Sequence, residues 1–275
     1  MEGPISVIVR ARDEAPAIGR CLDLIAGQRV EVPVEVIVVD HESRDATAEV
    51  ARRRGAEVVG IRDADFSFGR ALNVGVERAS GPFVVALSAH AFPPDEGWLA
   101  RLAAALADPD AACACGERFW PDGRPLTESV RYDAALAARH PRWGYSNAAG
   151  AFRRSLWQAR PFREDLPGCE DKEWGRHWAL AGRPTVLDPK LVVEHDHTHD
   201  PFLDIYRRAR REAAGFASFL PERPPTLAAV AAEWWGDTRF YSNPWRARLS
   251  HRRVARLAGA YAGARAAPPP TVRVE

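Results

Sequence analysis

Long hydrophobic runs are absent from this 275-residue chain, and no stretch approaches the roughly 20 apolar residues of a membrane-spanning helix. The opening residues, MEGPISVIVRARDE, show no basic segment followed by a long apolar core, so no signal peptide is expected. Cysteine is scarce: Cys21, Cys113, Cys115 and Cys169 are the whole set. None sits in a CxxC pair of the zinc-site kind, and four are too few for a disulfide framework. Reduced, buried thiols and a cytoplasmic location are therefore expected. Net charge is nearly absent, since 38 basic against 37 acidic side chains leave +1. Such a balance gives no global field to draw the chain to nucleic acid or an anionic membrane. A glycine-rich, lysine-containing loop is missing after the first apolar run, where RARDEAP stands instead.

What remains is ordinary globular usage, with 46% hydrophobic and 27% charged residues, enough for one large domain or a domain with an appendage. The abundance of Ala, Arg and Pro suggests a bacterial source with a GC-rich genome. The first half alternates two periodicities. Short β-branched runs at residues 5–10, 34–40, 56–61 and 82–88 predict buried parallel strands. Between and after them, helical spacing covers 16–28, 45–54 with Asp45 as candidate N-cap, 69–79 and 95–107. Strands separated by helices imply a mostly parallel α/β sheet with helices on its flanks. The second half is less regular. Strands of mixed orientation are expected at 112–118 and 148–153, a helix at 170–181, and a strand at 191–195. From residue 201 the chain reads as a helical C-terminal extension with proline-rich breaks at 221–225 and a disordered tail from Ala267.

Ligands of parallel sheets bind at the carboxyl ends of the strands, so the polar residues there are the first candidates. Strand one closes on Arg10, Ala11, Arg12 and Glu14, and strand two on Asp40, whose carboxylate can accept from a pyrimidine N–H or merely cap a turn. In FSFGRALN, Gly69 can admit a close backbone approach. Arg70 can neutralise a diphosphate. Asn73 can bond a ribose or a loop, and Phe68, directly before Gly69, joins the same candidate segment. Strand four closes on Ser88, Ala89 and His90. Cys169-Glu170-Asp171 opens a helix with two acids. His195, His197 and His199 alternate, which places them on one face of a strand.

The order SVIVRARDEAPAIGRCL, VIVVDHESRDATAEVA, FSFGRALNVGVERASG, FVVALSAHAFPPDEGWL and CEDKEWGRH resembles glycosyltransferase family 2, the inverting enzymes of GT-A fold, over about residues 4–200. The resemblance implies a Rossmann-like GT-A domain at 1–200, with a nucleotide-binding half to about 110 and an acceptor half to 200. It implies a nucleoside diphosphate sugar donor, UDP favoured, and an unidentified hydroxyl or amine acceptor of surface-glycan or natural-product type. Asp171 becomes the base and Glu170 its positioning partner. The usual Asp-x-Asp metal motif is replaced by Ser88-Ala89-His90. A divalent ion would then rest on His90 with His195 or His197, which tilts preference from Mg²⁺ to Mn²⁺. Metal-free catalysis, with Arg10, Arg12 or Arg70 screening the diphosphate, is the competing expectation. Two other activities stand beside it: a non-catalytic nucleotide-sugar-binding module, and a nucleotidyltransferase. The basic and aromatic C-terminal region, including Trp234, Trp235, Phe240, Tyr241 and Trp245, suggests packing or homodimerisation, with weak membrane-surface contact as the alternative.

Overall fold

The β-branched runs pair as their burial predicts. The computed structural model describes residues 3–236, 245 and 248–266. Strands β1 (Ile5–Ala11), β2 (Val34–Asp40), β3 (Glu57–Gly60) and β4 (Phe83–Ser88) lie parallel. Helices α1 (Ala15–Ala26), α2 (Thr47–Arg53) and α3 (Phe68–Arg78) connect them. The sheet continues through β5 (Cys113–Gly116), β6 (Val130–Tyr132), β7 (Ala149–Arg153) and β8 (Thr185–Asp188). Its eight strands run in the order β3-β2-β1-β4-β7-β5-β8-β6. β7 is antiparallel to both β4 and β5, and β6 to β8. Helices α4 (Trp98–Ala105), α5 (Ala134–Arg139), α6 (Arg154–Ala159) and α7 (Glu170–Leu180) complete this unit.

Period-two alternation along β1 divides the core between the two faces of the sheet. Val7 and Val9 join Ile18, Leu22, Ile25 and Trp98, while Ile8 joins Leu72, Val76, Phe152 and Trp174 on the opposite side. The chain leaves β1 toward β2 on one side and later returns to β4 on the other. The strand order therefore reverses between β1 and β4, and the carboxyl ends of these two strands flank a crevice of the kind that holds ligands. Residues 10–14 and 88–90 stand there.

Local chemistry sets several boundaries. Ser67 caps α3, its hydroxyl accepting from Arg70 N at 3.0 Å. Asp45 does not cap α2, which begins two residues later behind Ala46. Its carboxylate instead ties loops, accepting from Ala15 N at 3.0 Å and Thr47 N at 2.9 Å. The expected strand at 191–195 is also corrected. Pro189 opens a short 3₁₀ turn, with Asp188 accepting from Lys190 N, and only Glu194 pairs, as an isolated bridge to Phe92. Proline has no N–H to extend a ladder.

None of the four cysteines forms a disulfide, and Cys21, Cys113 and Cys115 are buried. Burial pushes Cys21 and Cys115 up to about 12, which leaves them unreactive.

The chain divides into two compact units, one running to Glu164 and resuming over Glu170–Asp196, the other comprising Asp165–Cys169 and everything from His197. Within the second, α8 (Phe202–Ala217) packs on α10 (His251–Ala266) through small residues, and α9 (Leu227–Gly236) joins them. A Cβ on Gly263 would lie 2.0 Å from Arg210 O, so only glycine permits that approach. Trp235 and Trp245 meet edge to face at 5.9 Å, with Arg248 over both rings. Phe240, Tyr241 and the tail from Ala267 lie outside the described residues. Among the described residues no helix is long and apolar enough to cross a membrane.

Candidate active site

The loops after β1 and β2 are laced together by bonds from main-chain N–H groups to side-chain oxygens. Asp13 N donates to Ser43 Oγ at 2.9 Å, and Arg44 N to Asp13 Oδ1 at 2.7 Å. Asp13 and Glu42 both hold left-handed backbone, with φ of 53° and 43°, a conformation that costs L-residues about 1–2 kcal/mol. Such strain persists where surrounding bonds enforce it, and it clusters at functional sites. Between these loops Asp40 is buried at the end of β2, in register with Ala11 and Gly60. Its Oδ2 accepts from Ser43 N at 3.2 Å, whereas its buried Oδ1 has no hydrogen-bond partner. A buried carboxylate oxygen without a donor is costly, and its chemistry calls for an N–H.

The arginines after β1 are committed to protein partners. Arg12 pairs with Asp63 at 2.8 Å and contacts His41, which stacks on Phe66 with ring centroids 3.7 Å apart. Burial and the Arg12 charge hold the His41 imidazole below its ordinary range. Arg10 turns the other way. Its Nη2 donates to Asn147 O at 3.0 Å and Oδ1 at 2.8 Å, and Nη1 lies 3.7 Å from Glu170 Oε1. Asn147 in turn donates Nδ2 to Glu170 Oε1 at 2.6 Å and its backbone N to Asp171 Oδ2 at 3.0 Å. All of these groups are held near the end of β4, because Ser88 N donates to Ala148 O. Asp171 Oδ1 also accepts from Lys172 N, so one oxygen is fixed by the helix start and the other by Asn147 N. Burial, and then the Asp171 charge, push Glu170 up to about 7 against the pull of Arg10.

Ala89 N donates to Arg10 O, which fastens the end of β4 to that of β1. Ala89 itself is fully buried. His90 projects beyond it, with Nδ1 2.6 Å from Glu14 Oε1, and its ring stacks on that of His195 at 4.8 Å and 17°. His197 falls in the second unit, where its Nδ1 lies 3.2 Å from Asp200 and 3.0 Å from Arg208 Nη2. A cavity of about 370 Å³ opens beside His195 and is also lined by Arg118, Phe119, Ser146 and Ala148. Asn147 lies between Ser146 and Ala148 in the chain, but neither it nor the acid pair is among the residues lining this cavity.

The segment 68–73 takes a structural part. Asn73 is buried, and its amide is fully engaged. It donates to Phe162 O and Glu164 Oε1, and accepts from Trp157 Nε1 and Phe162 N. Of its two expected partners the loop is realised, and no bonding capacity is left for a ribose. A Cβ on Gly69 would fall 2.1 Å from Arg163 O, so this glycine admits the protein's own backbone rather than a ligand. Phe68 sits edge-on to Phe66, 5.2 Å away. Arg70 lies 3.4 Å from Glu164 and 4.0 Å from Glu77.

Residues 6–164 match the family model described as "Glycosyl transferase family 2". The chain belongs to this family. Among curated family relatives, the glycosyltransferase AglE of Haloferax volcanii is 30% identical over 229 residues, covering 77% of this chain and 72% of its own. A solved structure of a mannosyltransferase, PcManGT of Pyrobaculum calidifontis, in complex with GDP-Man and Mn²⁺, superposes with a TM-score of 0.62 at 24% identity. It covers 91% of this chain and 73% of its own. Glucosyl-3-phosphoglycerate synthase of Mycobacterium tuberculosis, with Mn²⁺, UDP and glucosyl-3-phosphoglycerate, gives 0.58 at 21%, covering 79% and 80%. The fold of this family member is thus the GT-A arrangement, a mostly parallel mixed sheet flanked by helices and followed by C-terminal helices.

Asn147 escaped the sequence reading. Its only local signal is its place just before the strand AGAFR, and nothing in spacing links it to residues 10 or 170. Glu14 was placed with the nucleotide contacts, whereas its carboxylate faces His90.

Proposed function

We propose that this glycosyltransferase moves a sugar from a nucleoside diphosphate, UDP favoured, to a hydroxyl or amine acceptor with inversion at C1. The observation that carries this proposal is the buried clamp of Asn147 on Glu170 and Asp171 at the strand ends. An inverting transfer needs a base on the sugar face opposite the leaving nucleotide, and a fixed carboxylate meets that need. Asp171 takes the acceptor's proton, and the cavity beside Ser146 and His195 admits the acceptor. Glu170, held by Arg10 and Asn147, keeps that carboxylate in place. Asp40 holds the donor base through its carboxylate.

A ring nitrogen of His90 and one of His195 lie within 4.8 Å of each other, and imidazole donors suit Mn²⁺-class ions better than Mg²⁺. These histidines would hold an ion that would supply charge neutralisation to the departing diphosphate. The division into a transferase domain over 1–200 and a helical extension over 201–275 belongs to the same proposal, as does a cytoplasmic setting.

The test is a nucleotide-sugar panel read by nucleoside diphosphate release, with product anomers assigned by NMR. Asp171→Asn is expected to lower turnover by about 10²–10⁴-fold, the usual contribution of a general base, with donor affinity within a few-fold. Turnover within ten-fold of wild type removes Asp171 from the base role, and retained stereochemistry removes inversion.

A further inference from the structure

The end of β4 carries Ser88-Ala89-His90 and therefore no acid of its own. A carboxylate reaches this point from another strand. Glu14 follows β1, and its backbone is fixed on both sides. Its N–H donates to Thr47 Oγ1 at 2.8 Å, and its carbonyl accepts from Ala17 N and Ile18 N at 2.9 and 2.8 Å. From this pinned position Oε1 lies 2.6 Å from His90 Nδ1. The two side chains are only 24% and 34% exposed, so water competes weakly for the bond.

We propose that Glu14 is a positioning residue that fixes His90 as the Nδ1–H tautomer and so presents its Nε2 lone pair to a divalent metal ion. An ionised carboxylate only accepts, so the nitrogen facing it must carry the proton. In neutral imidazole the other nitrogen then carries the lone pair. The hydrogen bond also makes that nitrogen a better donor to a cation and holds the ring against rotation, as outer carboxylates do for metal-bound histidines. The negative charge missing from the 88–90 segment thus returns one bond further out. This inference rests on the metal site proposed above.

Two measurements test it. Two-bond ¹H–¹⁵N correlation of the imidazoles at fixed pH, without metal, is expected to show His90 protonated on Nδ1 in wild type and to lose that preference in Glu14→Ala. Mn²⁺ binding, followed by EPR of the free ion with UDP and in a second series with GDP, is expected to weaken 10–100-fold in Glu14→Ala. Glu14→Gln keeps an acceptor oxygen without the charge and is expected to lose several-fold. UDP affinity without metal is expected to stay within two-fold, and thermal melts confirm folding. An Nε2–H tautomer in wild type overturns the role of Glu14, as does Mn²⁺ affinity within two-fold of wild type in folded Glu14→Ala. Absence of Mn²⁺ binding by wild type with both nucleotides, or unchanged binding in His90→Ala, removes the metal site itself and this inference with it.

Discussion

Asn147 and Glu170 meet through a 2.6 Å hydrogen bond between two buried side chains, and the same Asn147 amide receives Arg10 on its oxygen. Truncation at this position separates two roles, because the backbone N–H that holds Asp171 survives any non-proline substitution. Asn147→Ala leaves a buried carboxyl without its amide donor, at a cost of about 1–3 kcal/mol. The melting temperature is expected to fall by several degrees and kcat by roughly 10-fold or more, with donor affinity within a few-fold. Steady-state kinetics beside a thermal melt check this, and an unchanged kcat would show that the clamp is structural only.

In the proposed site, Asp40 holds the opposite end of the donor. A hydrogen bond to a charged group contributes about 1.5–3 kcal/mol, so Asp40→Ala is expected to weaken UDP binding by roughly 10–100-fold. Isothermal titration reads this directly. Undiminished affinity would place the nucleobase elsewhere.

Glu170 gives a pH signature. Its carboxyl is raised from an ordinary 4.5 to about 7, so the folded state binds this proton more tightly than the unfolded chain does. The destabilisation that Glu170 contributes is therefore absent below about 4.5, grows as pH rises toward 7 and is complete beyond it. Glu170→Gln is neutral throughout and escapes that decline. Its stability relative to wild type is expected to climb between pH 4.5 and 7 and to level off at roughly 3 kcal/mol above the low-pH difference. Denaturant titrations at pH 4.5, 6 and 8 test this, and parallel curves for the two proteins would contradict it.

Gly69→Ala distinguishes packing from ligand approach. The added Cβ meets the backbone of Arg163 at 2.1 Å, and backbone cannot step aside cheaply. Overpacking of this kind costs about 1–3 kcal/mol and outweighs the helix preference for alanine of about 1 kcal/mol. A lower melting temperature with nucleotide affinity within a few-fold is expected. A stable variant with lost affinity would return Gly69 to the binding site.

The parallel half of the sheet was legible because its strands are buried on both faces and read as unbroken β-branched runs. The acid pair and Asp40 were legible because each closes or opens an element whose period is plain. Other elements gave weaker signals. β6 is three residues long and α5 six, too short to show any periodicity. The strand expected at 191–195 failed because apolar content alone does not reveal that Pro189 and Asp188 have already bent the chain. Asn73 and Gly69 looked like ligand residues because glycine and asparagine serve tight backbone approaches of either kind.

The sequence by itself determined the α/β class, the GT-A resemblance and which strand ends carry acids, because burial and period are local properties. Only the tertiary structure decided how those ends are joined. Arg10 turns to Asn147 and Glu170, and Glu14 turns to His90, across 137 and 76 residues of chain respectively. Those pairings follow from the strand order β2-β1-β4-β7, which sets the ends of β1 and β4 side by side with β7 next to them. No spacing along the chain encodes that adjacency, because it is created by hydrogen bonds between strands that are distant in sequence.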